Sequence, residues 1–266
     1  MTLGEMTKMD YTVAAVDRAL KLLEAVAEHP NIGLTELARL TGTTKTLAFR
    51  MASTLEARGY LLKDPTSRSY TLGYKPLYLS ERMQHESHLL GVAEPFLDDL
   101  AQRTRENVSL TVREADHTVC IALRQSPQPI RLFAELGRQG PLHVGGGPKL
   151  LLAYAPTELQ DEVLAGRLDR FTPETIADPK RLRALLQRIR EQGYNVSHGD
   201  LDPGAFSVAA PLRDHAGRVI ASISVAGPQS RLTEDLEKLY VRMLLDVAEE
   251  ISSRLGATRS RLAASA

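Results

Sequence analysis

Through the first third of the chain, apolar residues recur at helical steps. Val13, Val16, Leu20, Leu23 and Ala27 follow one another at three- and four-residue intervals, which predicts an amphipathic helix ended by His29-Pro30-Asn31. A second helix follows Gly33 with Leu34, Leu37, Ala38 and Leu40, and stops at Thr41-Gly42, where glycine allows a left-handed turn. Thr43 or Thr44 can cap a third helix running to about Arg58, with Leu47, Ala48, Met51 and Leu55 inward. Short extended runs at Tyr60–Leu62 and Ser69–Leu72 flank the turn sequence Asp64-Pro65-Thr66-Ser67-Arg68. Three helices and a hairpin are the layout of a winged helix. A polar helical stretch, Pro76 to His88, follows, and its Leu77, Leu79 and Met83 are placed to bury against a second copy of the chain.

From about Leu89 the period changes, and helices mix with strands. Val92 to Arg103 reads as a helix with Pro95 in its first turn. Strands are expected at Asn107–Val112, Val119–Arg124 and Arg131–Glu135. Helices are expected at Pro148–Ala155, after the glycine run Gly145-Gly146-Gly147, and at Pro179–Gln192. Ala205–Leu212 and Val219–Val225 read as a hairpin turning at Asp214-His215-Ala216-Gly217. Glu234 to Leu255 is a long terminal helix. The pattern predicts an α+β domain on an antiparallel sheet.

Composition sets limits on function. The chain has 266 residues, 43% hydrophobic and 25% charged, as ordinary globular proteins do. Nothing approaches 18 consecutive apolar residues, and Met1 to Thr12 lack the basic start and apolar run of a secretory signal. A single cysteine, Cys120, makes neither an internal disulfide nor a cysteine zinc site. A cytoplasmic protein without membrane contact is expected. The net charge is zero, yet between Arg39 and Lys75 seven cations (Arg39, Lys45, Arg50, Arg58, Lys63, Arg68, Lys75) face two acids (Glu56, Asp64). Such a local excess can meet phosphates within a neutral chain.

The segment Leu34 to Ser53 carries the strongest chemistry. A helix-turn-helix needs a small residue where its helices cross, supplied by Ala38, and a glycine four residues later, supplied by Gly42. With Ala48 and Met51 holding the second helix on the first, Thr44, Lys45, Thr46, Phe49, Arg50 and Ser53 point outward. Hydroxyls, a lysine and an arginine suit phosphate oxygens and base edges. Lys63 and Arg68 at the hairpin tip suit a wing lying along the backbone or minor groove. The plainer alternative is a helical hairpin with a basic side, docking a protein partner instead of DNA.

These residues resemble the IclR family of bacterial regulators over about Val13 to Leu255. The likeness rests on Val16-Asp17-Arg18-Ala19-Leu20-Lys21-Leu22-Leu23-Glu24, on Gly42-Thr43-Thr44-Lys45-Thr46 with Arg50, and on Tyr70-Thr71-Leu72-Gly73. Farther on it continues through Pro141-Leu142-His143, Lys149, Glu191-Gln192-Gly193-Tyr194, Asp202-Pro203-Gly204, Val208-Ala209-Ala210-Pro211 and Gly227-Pro228. The resemblance implies a winged helix-turn-helix over residues 10–74, a linker helix over 75–91, and a GAF-like effector-binding domain over 92–257. It also implies a homodimer, often a dimer of dimers, a double-stranded operator, and DNA contacts from Thr43 through Ser53 and the wing. Members usually have serine-threonine after the helix lysine, where Thr46-Leu47 stands, and many have proline at Thr44. The operator sequence therefore does not transfer from relatives.

For the effector, the resemblance selects Gly146 and Gly147 on a loop, Ser197, Ala205 and Ser207, and Ser224 and Ala226 on the last strand. Independently, the glycine run before Pro148 places bare amides at a helix start, where an anion is favoured; a flexible connection is the alternative. It is not a nucleotide loop, because Lys149 is followed by Leu150. Family members often carry an acid near Ser197, a glutamate near Gly199 and a serine at Ala226. Their absence points to a roomier, less polar pocket and a larger carboxylic acid, aromatic or not, or a related derivative. No cofactor is expected. An enzyme reading would rest on His143 or Cys120, but His143 has no acid at a telling spacing, and Cys120 sits in the apolar run Val119-Cys120-Ile121-Ala122. His85 and His88 stand three apart without metalloprotease spacing, so no metal is expected either.

Overall fold

The computed structural model describes residues 12–257; the expected start of the DNA-binding domain at residue 10 lies outside them. The chain forms two compact units that divide between Glu86 and Ser87. The first contains α1 (Ala14–Glu28), β1 (Ile32–Gly33), α2 (Leu34–Leu40), α3 (Lys45–Ala57), β2 (Leu61–Lys63), β3 (Ser69–Leu72) and α4 (Lys75–Glu86). Its three strands pair antiparallel in the order β1-β3-β2, so the hairpin gains a third strand that the sequence pattern did not reveal. Leu22, Val26, Leu37, Ala48, Ala52, Leu61 and Tyr70 form the core. Gly42 takes φ +62° between α2 and α3, and Thr44, not Thr43, caps α3 by accepting from the Leu47 N–H at 3.2 Å.

The α1 stripe is a correction. Val13, Val16 and Leu20 are 63%, 55% and 51% exposed, while Leu22 and Val26 are buried with Ala19, Leu23 and Ala25 against them. Two apolar faces share this helix, and the regular spacing followed the outer one. Leu77 and Met83 of α4 are likewise exposed.

The second unit contains α5 (His88–Thr104), β4 (Asn107–Glu114), β5 (His117–Arg124), β6 (Gln139–Pro141), α6 (Gly146–Ala153), α7 (Thr157–Ala165) and α8 (Pro179–Gln192), then β7 (Asn195–His198), β8 (Ala205–Arg213), β9 (Val219–Pro228) and α9 (Glu234–Arg254). The strands form one antiparallel sheet in the order β6-β5-β4-β9-β8-β7. One face carries Val108, Leu110, Phe206, Val208, Ile223 and Val225, packed with Leu97, Leu100, Leu244 and Val247 of α5 and α9. Strand alternation turns Asn107, Ser109, Thr111, Ser207, Ser222 and Ser224 to the other face. Behind it Leu150, Leu152, Leu182, Leu186 and Ile189 join α6 to α8 in a second core.

Three expectations change here. Arg131–Glu135 is not a strand. Pro127 and Pro129 lead into it without N–H groups to offer a ladder, and the segment is instead fastened through its carbonyls. Asn107 Nδ2 donates to the Leu132 carbonyl at 3.0 Å and Arg231 Nη1 to the Ile130 carbonyl at 2.9 Å. The sheet edge falls to β6. Helix α5 starts at His88, because Ser87 Oγ accepts from the Leu90 N–H at 3.3 Å, so Pro95 lies in the helix interior. The carbonyl its missing N–H leaves unpaired belongs to exposed Gly91, where water can reach. His85 and His88 fall in separate helices, α4 and α5. Helix α7 and strand β7 went unread.

The glycine run is a close approach and not a flexible connector. Gly145, at φ +85°, precedes α6, which begins at Gly146 rather than Pro148. A Cβ on Gly146 would lie 2.9 Å from both the Cβ and the carbonyl oxygen of Ser207, and one on Gly147 would lie 2.7 Å from Ser222 Oγ. The Gly146 carbonyl accepts from Asn195 Nδ2 at 2.8 Å. The same helix start is tied to the β7–β8 connection by Asp200. Its carboxylate accepts from the Gly145 N–H at 3.1 Å, from Ser197 Oγ and from Lys149 Nζ, and the side chains of this Lys149–Asp200 ion pair are 4% and 5% exposed.

Two outcomes follow from this docking. Gly146→Ala, by overpacking against Ser207, is expected to destabilise the chain by about 1–3 kcal/mol, read as a lower urea midpoint at unchanged slope. An unaltered midpoint would mean the helix start has room to spare. Lys149→Met leaves the Asp200 carboxylate buried without its cation and is expected to cost about 3–5 kcal/mol. Lys149→Met paired with Asp200→Leu should recover most of that loss in the same titration, which a simple loss of lysine packing would not do.

Candidate nucleic-acid interface and effector cavity

On α3, Lys45, Thr46, Phe49 and Arg50 are exposed along with the cap residue Thr44. The face bearing Lys45 and Arg50 is therefore open, as entry into a groove requires. Thr43 and Ser53 are half-buried, and the Thr43 hydroxyl is 3.1 Å from that of Thr41, so these two are partly spent on the fold. At the hairpin, the Asp64 carboxylate accepts from the Thr66 and Ser67 N–H groups, both at 2.7 Å. Arg68, exposed at φ +58°, closes the turn. Lys63 connects hairpin and helix, its Nζ 5.7 Å from the ring centroids of both Phe49 and Tyr70. Within the basic segment Arg39 is already paired with Glu36 at 2.5 Å, and that hydrogen bond holds the Glu36 carboxyl below its ordinary range. Arg39 thus adds less to the positive face than its charge alone implies.

In the second unit, Gly146, Gly147, Ser197, Ala205, Ser207, Ser224 and Ala226 all line one cavity, with about 740 Å³ of space unfilled by protein atoms, its open mouth included. Register explains the convergence. Ser197, Ser207, Ala226 and Asn107 stand side by side across β7, β8, β9 and β4, and Ala209, Ser224, Ser109 and Leu123 form the adjacent row. The hydroxyls of Ser109 and Ser224 are 2.9 Å apart. Above the sheet stands the start of α6. By helix geometry the N–H groups of its first turn lack intrahelical partners. The Gly145 N–H is consumed by Asp200, so an incoming anion is left the amides of Gly146 and Gly147. Leu123, Leu132, Phe133 and Ala134 supply an apolar wall, the last three from the segment expected as a strand.

Sequence reasoning missed Asp200, Arg138 and the polar face of β4. The alternation Asn107-Val108-Ser109-Leu110-Thr111 announces a half-polar strand, and that signal could have added Asn107, Ser109 and Thr111. Asp200 and Arg138 lie in irregular chain, where no period marks them.

His143 and Cys120 stand outside this cavity's lining. His143 is buried, its Nε2 3.0 Å from the Asp169 carbonyl oxygen, and it anchors the chain after α7. Burial pushes the Cys120 thiol up, away from a reactive thiolate. Among the described residues no cluster of three or more metal-ligating side chains occurs; the side chain of His85 lies outside them. No helix among the described residues is long and apolar enough to cross a membrane.

Comparison with known proteins places both units. The IclR helix-turn-helix domain model matches residues 15–65, and the model for the bacterial transcriptional regulator IclR C-terminal domain matches residues 82–253. The HTH-type transcriptional regulator KipR of Bacillus subtilis is 30% identical over 244 residues, which is 91% of this chain and 97% of that protein. The structure of an IclR regulator from Alicyclobacillus acidocaldarius matches with a TM-score of 0.84 at 29% identity, over 92% of this chain and 100% of its own. An IclR homolog from Microbacterium hydrocarbonoxydans, solved in complex with 4-hydroxybenzoate, matches with a TM-score of 0.80 at 25% identity, over 92% of this chain and 100% of its own. With an exposed face on the second helix of a helix-turn-helix, a sheet-lined cavity and these relatives, the chain belongs to the IclR family of ligand-responsive, DNA-binding transcriptional regulators.

Proposed function

We propose that this regulator controls catabolic genes by binding a near-palindromic operator as a dimer, or a dimer of dimers, and that its effector is a carboxylic acid larger than pyruvate, most simply an aromatic one. The observation that carries the effector class is the cavity itself, with amides and serine hydroxyls at one end and an apolar wall at the other. The acid's carboxylate would meet Gly146, Gly147 and Ser207, and its body Leu123, Leu132 and Phe133. A relative of the same fold holds 4-hydroxybenzoate, which supports the class without fixing the compound. Lys45, Arg50, Lys63 and Arg68 supply salt-dependent affinity, while Thr44, Thr46 and Phe49 are placed for base contact. Thr43 and Ser53 would contribute at the edges of that face.

The dimer rests on the outward stripe of α1. Val13, Val16 and Leu20 share one face, and Tyr74, just before α4, with Leu77 and Met83 of α4, is exposed in the same unit. An apolar surface of this kind is covered in solution by a partner, and a two-fold partner presents two reading helices to successive turns of DNA. The effector acts by favouring one assembly, and it changes DNA affinity by its differential affinity and no more.

Isothermal calorimetry with substituted benzoates, phenylacetates and short oxoacids tests the effector class. Binding by aromatic acids is the expected result; heat from glyoxylate or pyruvate alone overturns it. On DNA from the chain's own upstream region, Arg50→Ala should weaken binding and lower the log-log salt slope by about 1. An unchanged slope would remove Arg50 from the phosphate contacts. Leu20→Glu with Leu77→Glu should convert the dimer to monomer by light scattering and abolish operator binding at concentrations that saturate wild type. A variant that stays dimeric places the interface elsewhere.

A further inference from the structure

The cavity holds a cation that the family-matched contacts do not use. Arg138 is the one arginine or lysine among the residues lining it. Its side chain is exposed at the cavity's rim, and among the described residues no carboxylate pairs with it. Its one side-chain hydrogen bond is a long one, from Nη1 to the Phe133 carbonyl at 3.4 Å, and its guanidinium lies 5.6 Å from the Phe133 ring centroid. The ring orients the guanidinium without neutralising it.

The segment that presents this arginine is held in place. Its carbonyls at Ile130 and Leu132 are tied to Arg231 and Asn107. The Arg138 carbonyl accepts from the Cys120 N–H at 3.0 Å, and Gly137 donates back to the Cys120 carbonyl at 2.7 Å. Arg138 therefore sits at the β5–β6 edge of the sheet, immediately before Gln139. The amides of Gly146 and the hydroxyl of Ser207 sit over β8. Sheet order places four strand spacings between β6 and β8, roughly 19 Å of backbone separation at about 4.8 Å each. Both ends line the same cavity, on opposite sides of its β4–β9 floor. Between the two ends the floor carries Asn107, Ser109 and Ser224, and Leu123, Leu132 and Ala134 form the wall beside it.

We infer that Arg138 reads a second carboxylate, so that the effector is a dicarboxylate with an apolar spacer, one end on the α6 amides and the other on the guanidinium. This rests on the acid-effector reading above and narrows it. Two carboxylates also line the cavity: that of Asp200 is matched by buried Lys149, and Asp202 lies on the β7–β8 connection, away from the β5–β6 edge where Arg138 stands. A guanidinium is suited to the task, since it forms two parallel hydrogen bonds with a carboxylate and stays charged throughout the working pH range.

The test is calorimetry on the full chain with matched pairs: terephthalate against benzoate, adipate against hexanoate, and suberate against octanoate. At least one diacid should bind tenfold or more tightly than its monoacid. Arg138→Gln should erase that ratio while leaving monoacid affinity within twofold, and Arg138→Lys should restore part of it. An unchanged urea midpoint in both variants excludes misfolding. Diacids that bind no better than monoacids overturn the second contact and leave the acid effector standing, as does a diacid preference that survives Arg138→Gln. Equal weakening of both classes makes Arg138 a wall of the mouth, which also overturns the inference. If no acid of either class binds wild type, both readings fall together.

Discussion

The effector unit depends on how closely one helix start approaches the sheet beneath it. Gly146 sits where any side chain would strike Ser207, and its carbonyl is claimed by Asn195. That approach is possible because β8 and β9 alternate. Their large residues, Phe206, Val208, Ile223 and Val225, turn toward α5 and α9, and smaller residues, serines, alanines and Pro211, turn to the α6 side. A shift of one residue in register would present valine to the helix and close the cavity. Cavity and core are thus two faces of the same alternation, and the pocket floor is polar because the opposite face had to be apolar.

The same helix start explains why the internal anion matters. Bare amides at Gly145–Gly147 attract negative charge whether it comes from a ligand or from the protein. Asp200 takes the first amide and is matched by Lys149 and Ser197. This holds the β7–β8 connection against α6 and shapes the cavity wall before any ligand arrives. It also confines a ligand's carboxylate to the amides beyond Gly145. What the glycine run offers a ligand is therefore smaller and better defined than three consecutive glycines imply.

Much of this was legible in the residues. Ala38, Gly42 and the α3 periodicity placed the two helices of the helix-turn-helix, and the seven residues carried across by resemblance to the family converge on one cavity. The failures share a cause: local pattern does not report which neighbour an element meets. Val13, Val16 and Leu20 form a regular stripe, but Leu22 and Val26 won the core because α2 and α3 approach from that side. Leu132 and Phe133 read as a strand by hydrophobicity, yet Pro127 and Pro129 remove donors just upstream, and the chain is held by Asn107 and Arg231 from distant elements. Asp200 and Arg138 gained their settings from partners 51 and 18 positions away in Lys149 and Cys120, a distance no window of periodicity spans.

Neutral overall charge bears on how such a protein can respond to a ligand. One copy offers few unpaired cations on its reading face, since Arg39 is engaged by Glu36, and phosphate contacts set the salt-dependent part of affinity. In the proposed dimer those contacts double, so a single unit and a pair differ in DNA affinity far more than any one side chain could produce. An effector then needs no contact with DNA and no change in the reading helix. A difference of about 1.4 kcal/mol in its affinity for two assemblies changes their ratio tenfold, and operator occupancy follows. A ligand that bridges the α6 amides and the β5–β6 edge is placed to create such a difference, because it binds only a domain in which those two ends stand at the right separation.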